Sequence, residues 1–194
     1  MIKKINIVIF ASGSGTNADR IMRSFKKHPF IKIVCLFSNN PAAYALERAK
    51  KFNIPVCVFD KDTFYNSDKI VNKLKNYDVS LIVLAGFLWL IPEQLIKAYP
   101  NKIINIHPAL LPRYGGRGMY GLRVHKAVID SGDKQSGITI HYVDSEYDKG
   151  KIIFQAKCPV KNDDSPESLA ERAHQLEYRH YPEIIEKLAE QLRG

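Results

Sequence analysis

An amide and an imidazole emerging side by side, with a carboxylate to hold the imidazole charged, make a pair of hydrogen-bond donors, one of which can release a proton. The sequence offers this set as Asn105, His107 and Asp148. Asn105 and His107 close the apolar run Lys102-Ile103-Ile104-Asn105-Ile106-His107, which reads as a buried strand. Residues two apart on a strand share a face, so the amide and the imidazole project together while Ile104 and Ile106 point the other way. Pro108 cannot donate a ladder hydrogen bond and keeps its predecessor extended, which predicts that His107 ends the strand. The exit of a parallel strand is where open α/β sheets hold their ligands. Asp148 lies in an acidic turn that, on local sequence alone, reads as solvated. If it folds back toward His107, the carboxylate favours the protonated imidazole and raises its pKa, giving a proton donor useful near neutral pH.

A second candidate site is the turn Ser12-Gly13-Ser14-Gly15-Thr16-Asn17, set between a strand and a helix. Its glycines permit positive φ and close backbone approach, and free amides at a helix N-terminus suit a phosphate. It is not a dinucleotide fingerprint, because Asn17 or Ala18 stands where a third glycine is wanted and the next strand ends in Phe37-Ser38-Asn39 without a carboxylate for a ribose diol. Nor is it a Walker loop, since no Lys-Ser/Thr follows. A phosphate-binding turn and a plain tight turn remain open. Among the histidines, His174 and His180 stand about 120° apart around a helix, and no pairing with His125 or His141 has zinc spacing. Capping, surface or substrate-contacting roles are expected for them, and no metal. Ser12, Ser14 and Cys158 lack a nucleophile motif, which argues against a triad hydrolase.

The elements that must position these residues alternate between strand and helix. Strands are expected at Ile5–Ala11, Lys32–Phe37, Pro55–Phe59, Ser80–Phe87 and Lys102–His107. Between them, helices carry Ile21, Met22 and Phe25, then Tyr44 to Ala49 with Pro41 in the first turn, then Ile70, Val71 and Leu74 capped by Ser67 or Asp68, then Leu95 and Ile96 after Pro92. That alternation is the pattern of a parallel sheet wound on both faces. After Pro108 a glycine- and arginine-rich loop leads to a helix around Val124–Ile129, two strand-like runs at Gly137–Val143 and Lys151–Val160, and a final helix capped by Ser165 with Pro166 at its first position. The fold class is therefore α/β: a Rossmann-like, doubly wound, mostly parallel sheet with an antiparallel C-terminal portion. One domain covering 1–194 is expected, its N-terminal half binding phosphate and its C-terminal half carrying the chemistry.

The sequence has 194 residues and a net charge of +9, spread through lysines such as Lys3, Lys50, Lys102 and Lys187 rather than gathered in a tract. That favours a solubilising surface or an anionic small substrate over nucleic acid. No run is apolar enough to span a membrane and no cleavage signal opens the chain. Cys35, Cys57 and Cys158 are odd in number and widely spaced, so a reduced, cytoplasmic enzyme is expected, acting on small molecules as a monomer or homodimer.

The block Asn105-Ile106-His107-Pro108-Ala109-Leu110-Leu111-Pro112, preceded by Leu84-Ala85-Gly86-Phe87 and followed by Asp148-Lys149-Gly150, resembles the phosphoribosylglycinamide formyltransferases. The likeness runs over nearly the whole chain, from the Ser12–Asn17 turn to Glu177 and Tyr181-Pro182. It implies an enzyme of de novo purine synthesis that passes the formyl group of 10-formyltetrahydrofolate, a co-substrate, to glycinamide ribonucleotide. It implies that Asn105, His107 and Asp148 are the catalytic trio. It assigns Gly15, Thr16, Asn17, His174 and Glu177 to the ribonucleotide, Glu177 at the ribose hydroxyls. It assigns Leu88, Trp89, Leu90, Ile91, Asn105, Asp144, Ser145, Glu146, Tyr147 and Asp148 to the folate. Two departures stand out: Trp89 replaces a basic residue, and no arginine for the folate glutamate stands near Ser67. The Gly115–Gly121 stretch, richer in glycine than usual, is either a cover that closes on folate or a structural variation without a catalytic role. Rival readings are a formyltransferase acting on methionyl-tRNA or an amino sugar nucleotide, where the tRNA enzyme is expected to need a further C-terminal domain, and a non-catalytic phosphate- or folate-binding module. A nicotinamide dehydrogenase is disfavoured by the missing ribose carboxylate.

Overall fold

The first strand, β1 (Ile5–Phe10), is covered on both faces, and its alternation assigns each face to a different core. Ile5, Ile7 and Ile9 pack into one cluster, Val8 and Phe10 into the other. Beside it run β2 (Ile31–Ser38), β3 (Val56–Val58), β4 (Val79–Leu84) and β5 (Ile103–His107), followed by β6 (Gln135–Tyr142) and β7 (Ile152–Pro159). In the computed structural model, which describes residues 3–194, these form one seven-stranded sheet in the order β3-β2-β1-β4-β5-β6-β7. The first five strands are mutually parallel, while β6 pairs antiparallel with both β5 and β7.

The helices α1 (Thr16–Phe25), α2 (Tyr44–Lys51) and α7 (Pro166–Arg193) bury Ile21, Met22, Leu46, Ile185 and Leu188 on the face of Ile5 and Ile7. The opposite face is closed by α3 (Lys61–Tyr65), α4 (Lys69–Asn76) and α5 (Glu93–Ala98) through Phe64, Ile70, Leu74 and Leu95. The remaining helix, α6 (Leu122–Asp130), packs Val128 against Cys158 and Leu169. α7 starts where the sequence expects it, with Ser165 and Ser168 in a reciprocal capping box and Pro166 in the first turn. All three cysteines are free and buried.

Most strand ends differ from the sequence reading by a residue or two, and four differences matter more. Pro41 lies in a turn, and α2 begins at Tyr44 after an extended Ala43, so this proline ends a loop instead of opening a helix. α3 was not expected: it is a single short turn whose N-terminus is held by the Asp60 carboxylate accepting from Thr63 N–H at 2.8 Å. Asp68 occupies the cap position of α4 without a side-chain bond, while the Ser67 hydroxyl donates to the Thr63 carbonyl at 2.8 Å and accepts from Lys69 N–H, the first residue of the helix, at 3.4 Å. β4 stops at Leu84, and residues 85–91 leave the sheet as a loop.

Because β1 has β2 on one side and the parallel β4 on the other, the order in which strands are added reverses between them, and a crevice opens at their C-terminal ends. Ser12 ties the rim of that crevice together. Its hydroxyl donates to Asn39 Oδ1 (2.7 Å) and accepts from Leu88 N–H (3.1 Å), while its own N–H reaches the Gly86 carbonyl (3.0 Å).

Candidate active site

The crevice continues into a cavity of about 680 Å³, lined by the exits of β1, β4 and β5, the loop over 116–121, α6 and the first half of α7. This is the size of a site for drug-sized ligands. At one end Gly15 caps α1 with φ of 69°, a left-handed backbone that favours glycine. A Cβ there would come within 2.5 Å of Ala45 Cβ, so the turn can pack against α2 only with glycine. Thr16 and Asn17 also line the cavity, as do His174 and Glu177 from α7. The Glu177 side chain is only 4% exposed and takes a single hydrogen bond, from Asn17 Nδ2 at 2.8 Å. Burial, opposed only by that amide, pushes its carboxyl up to about 7.

At the other end stand the chemical groups. Asn105 and His107 leave β5 on one face, as the alternation requires, while Ile104 and Ile106 join the core opposite. Asp148 folds back from its turn, with φ of 58°, until Oδ2 lies 3.5 Å from His107 Nδ1. The same carboxylate accepts Gly116 N–H at 2.9 Å and lies 3.5 Å from His141 Nε2. His107 Nε2 is 2.7 Å from the Tyr114 carbonyl, and a carbonyl can only accept, so the proton of the neutral ring sits on Nε2.

One electrostatic expectation is corrected. Burial pushes His107 below the ordinary imidazole value, outweighing the upward pull of Asp148 and of the Tyr114 carbonyl. The ring is thus neutral in the free site. Burial raises Asp148 too, but the His141 and His107 rings, each 3.5 Å away, and the Gly116 N–H bring its carboxyl below the usual carboxylate value.

His141, for which the sequence suggested a capping, surface or substrate-contacting role and no metal, belongs to this cluster. It stands opposite Asn105 in the antiparallel register of β5 and β6. Its Nδ1 meets the Tyr142 carbonyl at 2.7 Å and so carries a proton. Its Nε2 lies between Asn105 Nδ2 at 3.2 Å and Asp148 Oδ1 at 3.5 Å, accepting from the amide when the ring is neutral and facing the carboxylate with a proton when it is charged. The contact with Asn105 orients that amide and leaves its second N–H for a substrate oxygen. His125, from α6, is buried with Nδ1 unpartnered, and burial, aided by His174 and His107, lowers it to about 4. Beneath the segment after His107, the Thr139 hydroxyl donates to Ala109 O (2.7 Å) and accepts from Leu111 N–H (3.0 Å), fixing the path of the chain away from the strand.

Of the residues assigned to folate, Leu88, Trp89, Leu90, Ile91, Glu146 and Tyr147 line the cavity together with Asn105 and Asp148. Asp144 and Ser145 do not. Asp144 spends its carboxylate on Glu146 N–H at 3.0 Å, capping the turn, and Ser145 points to solvent. Trp89 sits among Phe59, Phe64, Tyr65 and Phe87 at centroid distances of 5.8–6.4 Å, with Lys61 Nζ 5.9 Å from its ring. An aromatic platform therefore stands where a basic residue was missed. Among the described residues no group of three or more His, Cys, Asp or Glu is arranged to hold a metal ion.

Known proteins resemble this chain over most of its length. The formyl transferase family model matches residues 5–185. The chloroplastic phosphoribosylglycinamide formyltransferase of Arabidopsis thaliana is 40% identical over 97% of this chain and 67% of its own length. The phosphoribosylglycinamide formyltransferase of Bacillus subtilis is 37% identical over 93% of this chain and 92% of its own. The crystal structure of phosphoribosylglycinamide formyltransferase from Anaplasma phagocytophilum superposes with a TM-score of 0.89 at 35% identity, covering 97% of this chain and 88% of that one. The chain belongs to the formyl transferase family, among its phosphoribosylglycinamide formyltransferases.

Proposed function

We propose that this chain, working as one domain, transfers the formyl group of 10-formyltetrahydrofolate to the amine of glycinamide ribonucleotide, with Asn105, His107 and Asp148 carrying the chemistry. The observation that supports it most is the convergence of an amide, a neutral imidazole and an ionised carboxylate at one end of a cavity whose other end is a glycine turn and a buried carboxyl. The turn at Gly15, Thr16 and Asn17 suits a phosphoribosyl group, with Glu177 at the ribose hydroxyls and His174 beside it. Leu88 to Ile91 and the Glu146–Asp148 segment suit the pterin ring of the folate.

The glycinamide nitrogen attacks the formyl carbon, and the formyl oxygen gains negative charge. Asn105 donates its free N–H to that oxygen as the charge grows. His107, neutral beforehand, accepts the proton that the attacking nitrogen must lose and delivers it to folate N10 as the C–N10 bond breaks. While it holds that proton, the imidazolium is stabilised by Asp148 and by the adjacent alkoxide.

The experiment is a spectroscopic assay of the purified protein with both substrates supplied. Folate turnover that depends on glycinamide ribonucleotide supports the reading. Turnover with methionyl-tRNA or an amino sugar nucleotide instead, or tight binding without turnover, sinks it.

A further inference from the structure

Tyr114 holds a left-handed backbone, with φ of 57°, although it is not glycine. Such a conformation is strained for a residue with a Cβ and persists only where its surroundings impose it. The surroundings here are explicit. The phenol donates to Asp133 Oδ2 at 2.6 Å, accepts from Arg113 Nη2 at 2.9 Å and lies within hydrogen-bond distance of the Ser131 hydroxyl, which itself reaches the Val128 carbonyl at the end of α6. Arg113 closes the ring of contacts with an ion pair to Asp133 at 2.7 Å. The side chain is thus anchored to the α6–β6 corner, outside the cavity, while its carbonyl points inward to His107 Nε2.

The next two residues continue the grip. Gly115 passes so close to Leu111 and Asp148 that a Cβ would lie 2.5 Å from Leu111 Cδ2 and 3.1 Å from Asp148 Cβ. Gly116, at φ of 99°, turns its N–H onto Asp148 Oδ2. One tripeptide therefore holds the imidazole through a carbonyl and the carboxylate through an amide. By contrast, the 3.5 Å from His107 Nδ1 to Asp148 is longer than a settled hydrogen bond. Nδ1 is the uncommitted nitrogen.

We propose that Tyr114 is a positioning residue: its carbonyl, set by the anchored phenol, commits His107 Nε2–H to the scaffold and leaves Nδ1, on the Asp148 side, as the nitrogen that exchanges protons with substrate. The inference rests on the catalytic trio proposed above. The balance is closed: the glycinamide nitrogen gives a proton to Nδ1, Nδ1 gives one to folate N10, the new C–N bond forms and the C–N10 bond breaks. Nε2 keeps its proton throughout.

The test needs no substrate for its first arm. Nitrogen-15 spectra of histidine-labelled protein, with His107 assigned by loss of its signals in His107→Gln, are expected to give the Nε2–H tautomer for the neutral ring; the Nδ1–H tautomer overturns the proposal while leaving the trio untouched. In the second arm Tyr114→Phe and Asp133→Ala are expected to lower kcat roughly 10- to 100-fold, the scale of a misplaced catalytic group. Both should leave KM for either substrate within about twofold and move the His107 signals toward a mixture of tautomers. Asp133→Asn, which retains an oxygen to accept from the phenol, should recover most of the lost kcat. Loss of turnover with an unchanged tautomer assigns the clamp a merely structural role and overturns the proposal, as does Tyr114→Phe with native kcat and native spectra.

Discussion

Two carboxyl groups face the same cavity, and the more deeply buried of them, Glu177, is pushed up while the other, Asp148, is held down. Glu177, at the glycine-turn end, has one neutral amide donor, and its carboxyl is pushed up to about 7. Asp148, at the chemical end, has a backbone N–H and two imidazoles within 3.5 Å, and its carboxyl falls below its ordinary value. The Tyr181 phenol donates to the Leu84 carbonyl at 2.9 Å and not to Glu177. Depth and partner count act together: Glu177 is buried deeper and has fewer donors, and Asp148 is shallower and has more. The result suits two tasks: a group that can donate or accept toward neutral hydroxyls, and one that must stay charged beside a ring that gains and loses a proton.

Breaking the chemical end should give the largest effect. His107→Ala and Asp148→Ala are each expected to lower turnover by roughly 10²–10⁴, the range that positioned general acid–base catalysis contributes. Ribonucleotide binding, measured calorimetrically, should survive in both because Glu177 and the Gly15 turn are untouched. Native turnover in either purified variant would remove that residue from the mechanism.

The glycine-turn end breaks differently, through stability. Because the folded carboxyl of Glu177 binds its proton more tightly than the unfolded one, its contribution is fully present below pH 4.5 and is lost as pH rises toward 7. By pH 8 that loss amounts to about 3 kcal/mol. Glu177→Gln cannot ionise and still accepts from Asn17. Denaturant titrations should therefore find it equal to the parent near pH 4 and about 3 kcal/mol more stable at pH 8. Asp148 has the opposite sign, stabilising above its ordinary value of 3.8 and losing that contribution below it. A pH-independent difference between Glu177→Gln and the parent would show that Glu177 is ionised when buried, and the contrast would fail.

Much of this arrangement was legible beforehand, for physical reasons that differ by residue. The strand over 103–107 has period two and a proline stop, so the common face of Asn105 and His107 follows from local rules. The α7 cap is likewise local. Asp148 is not: its turn reads as solvated, and only the family resemblance directed it to His107. His141 was passed over because its place beside Asn105 depends on the register of β5 against β6, set by a connection of more than twenty residues containing α6. That register would have revealed it. α3 is too short to show helical periodicity. The charge of His107 was misjudged because composition cannot weigh a nearby carboxylate against burial. Asp144 and Ser145 shared a loop with true lining residues but faced away from the cavity.

A smaller effect sharpens the chemical end. His141 touches Asn105 without being placed against substrate, so its loss should misorient the amide and leave the amide itself in place. His141→Ala is expected to cost roughly tenfold in kcat, well short of Asn105→Ala, and the double variant should be no worse than Asn105→Ala alone. Additive losses would instead give His141 its own contact with the reaction.

The most delicate test concerns the one donor that Glu177 has. Asn17 Nδ2 opposes the effect of burial, so removing it leaves the ionised carboxyl with no recorded partner among the described residues. In Asn17→Ala the protonated form is nearly unaffected, because a neutral carboxyl loses only a weak bond, whereas the anion loses a charge-assisted one. The pH at which the stability of the variant falls should therefore move up by about one unit, with no change below pH 4.5. Asn17→Asp should move it further, since a second carboxylate at 2.8 Å replaces attraction by repulsion. If instead Asn17→Ala lowers stability equally at pH 4 and pH 8, the amide acts by packing alone. Depth would then account for Glu177 without help, and partner count would no longer explain why the two carboxyls part ways.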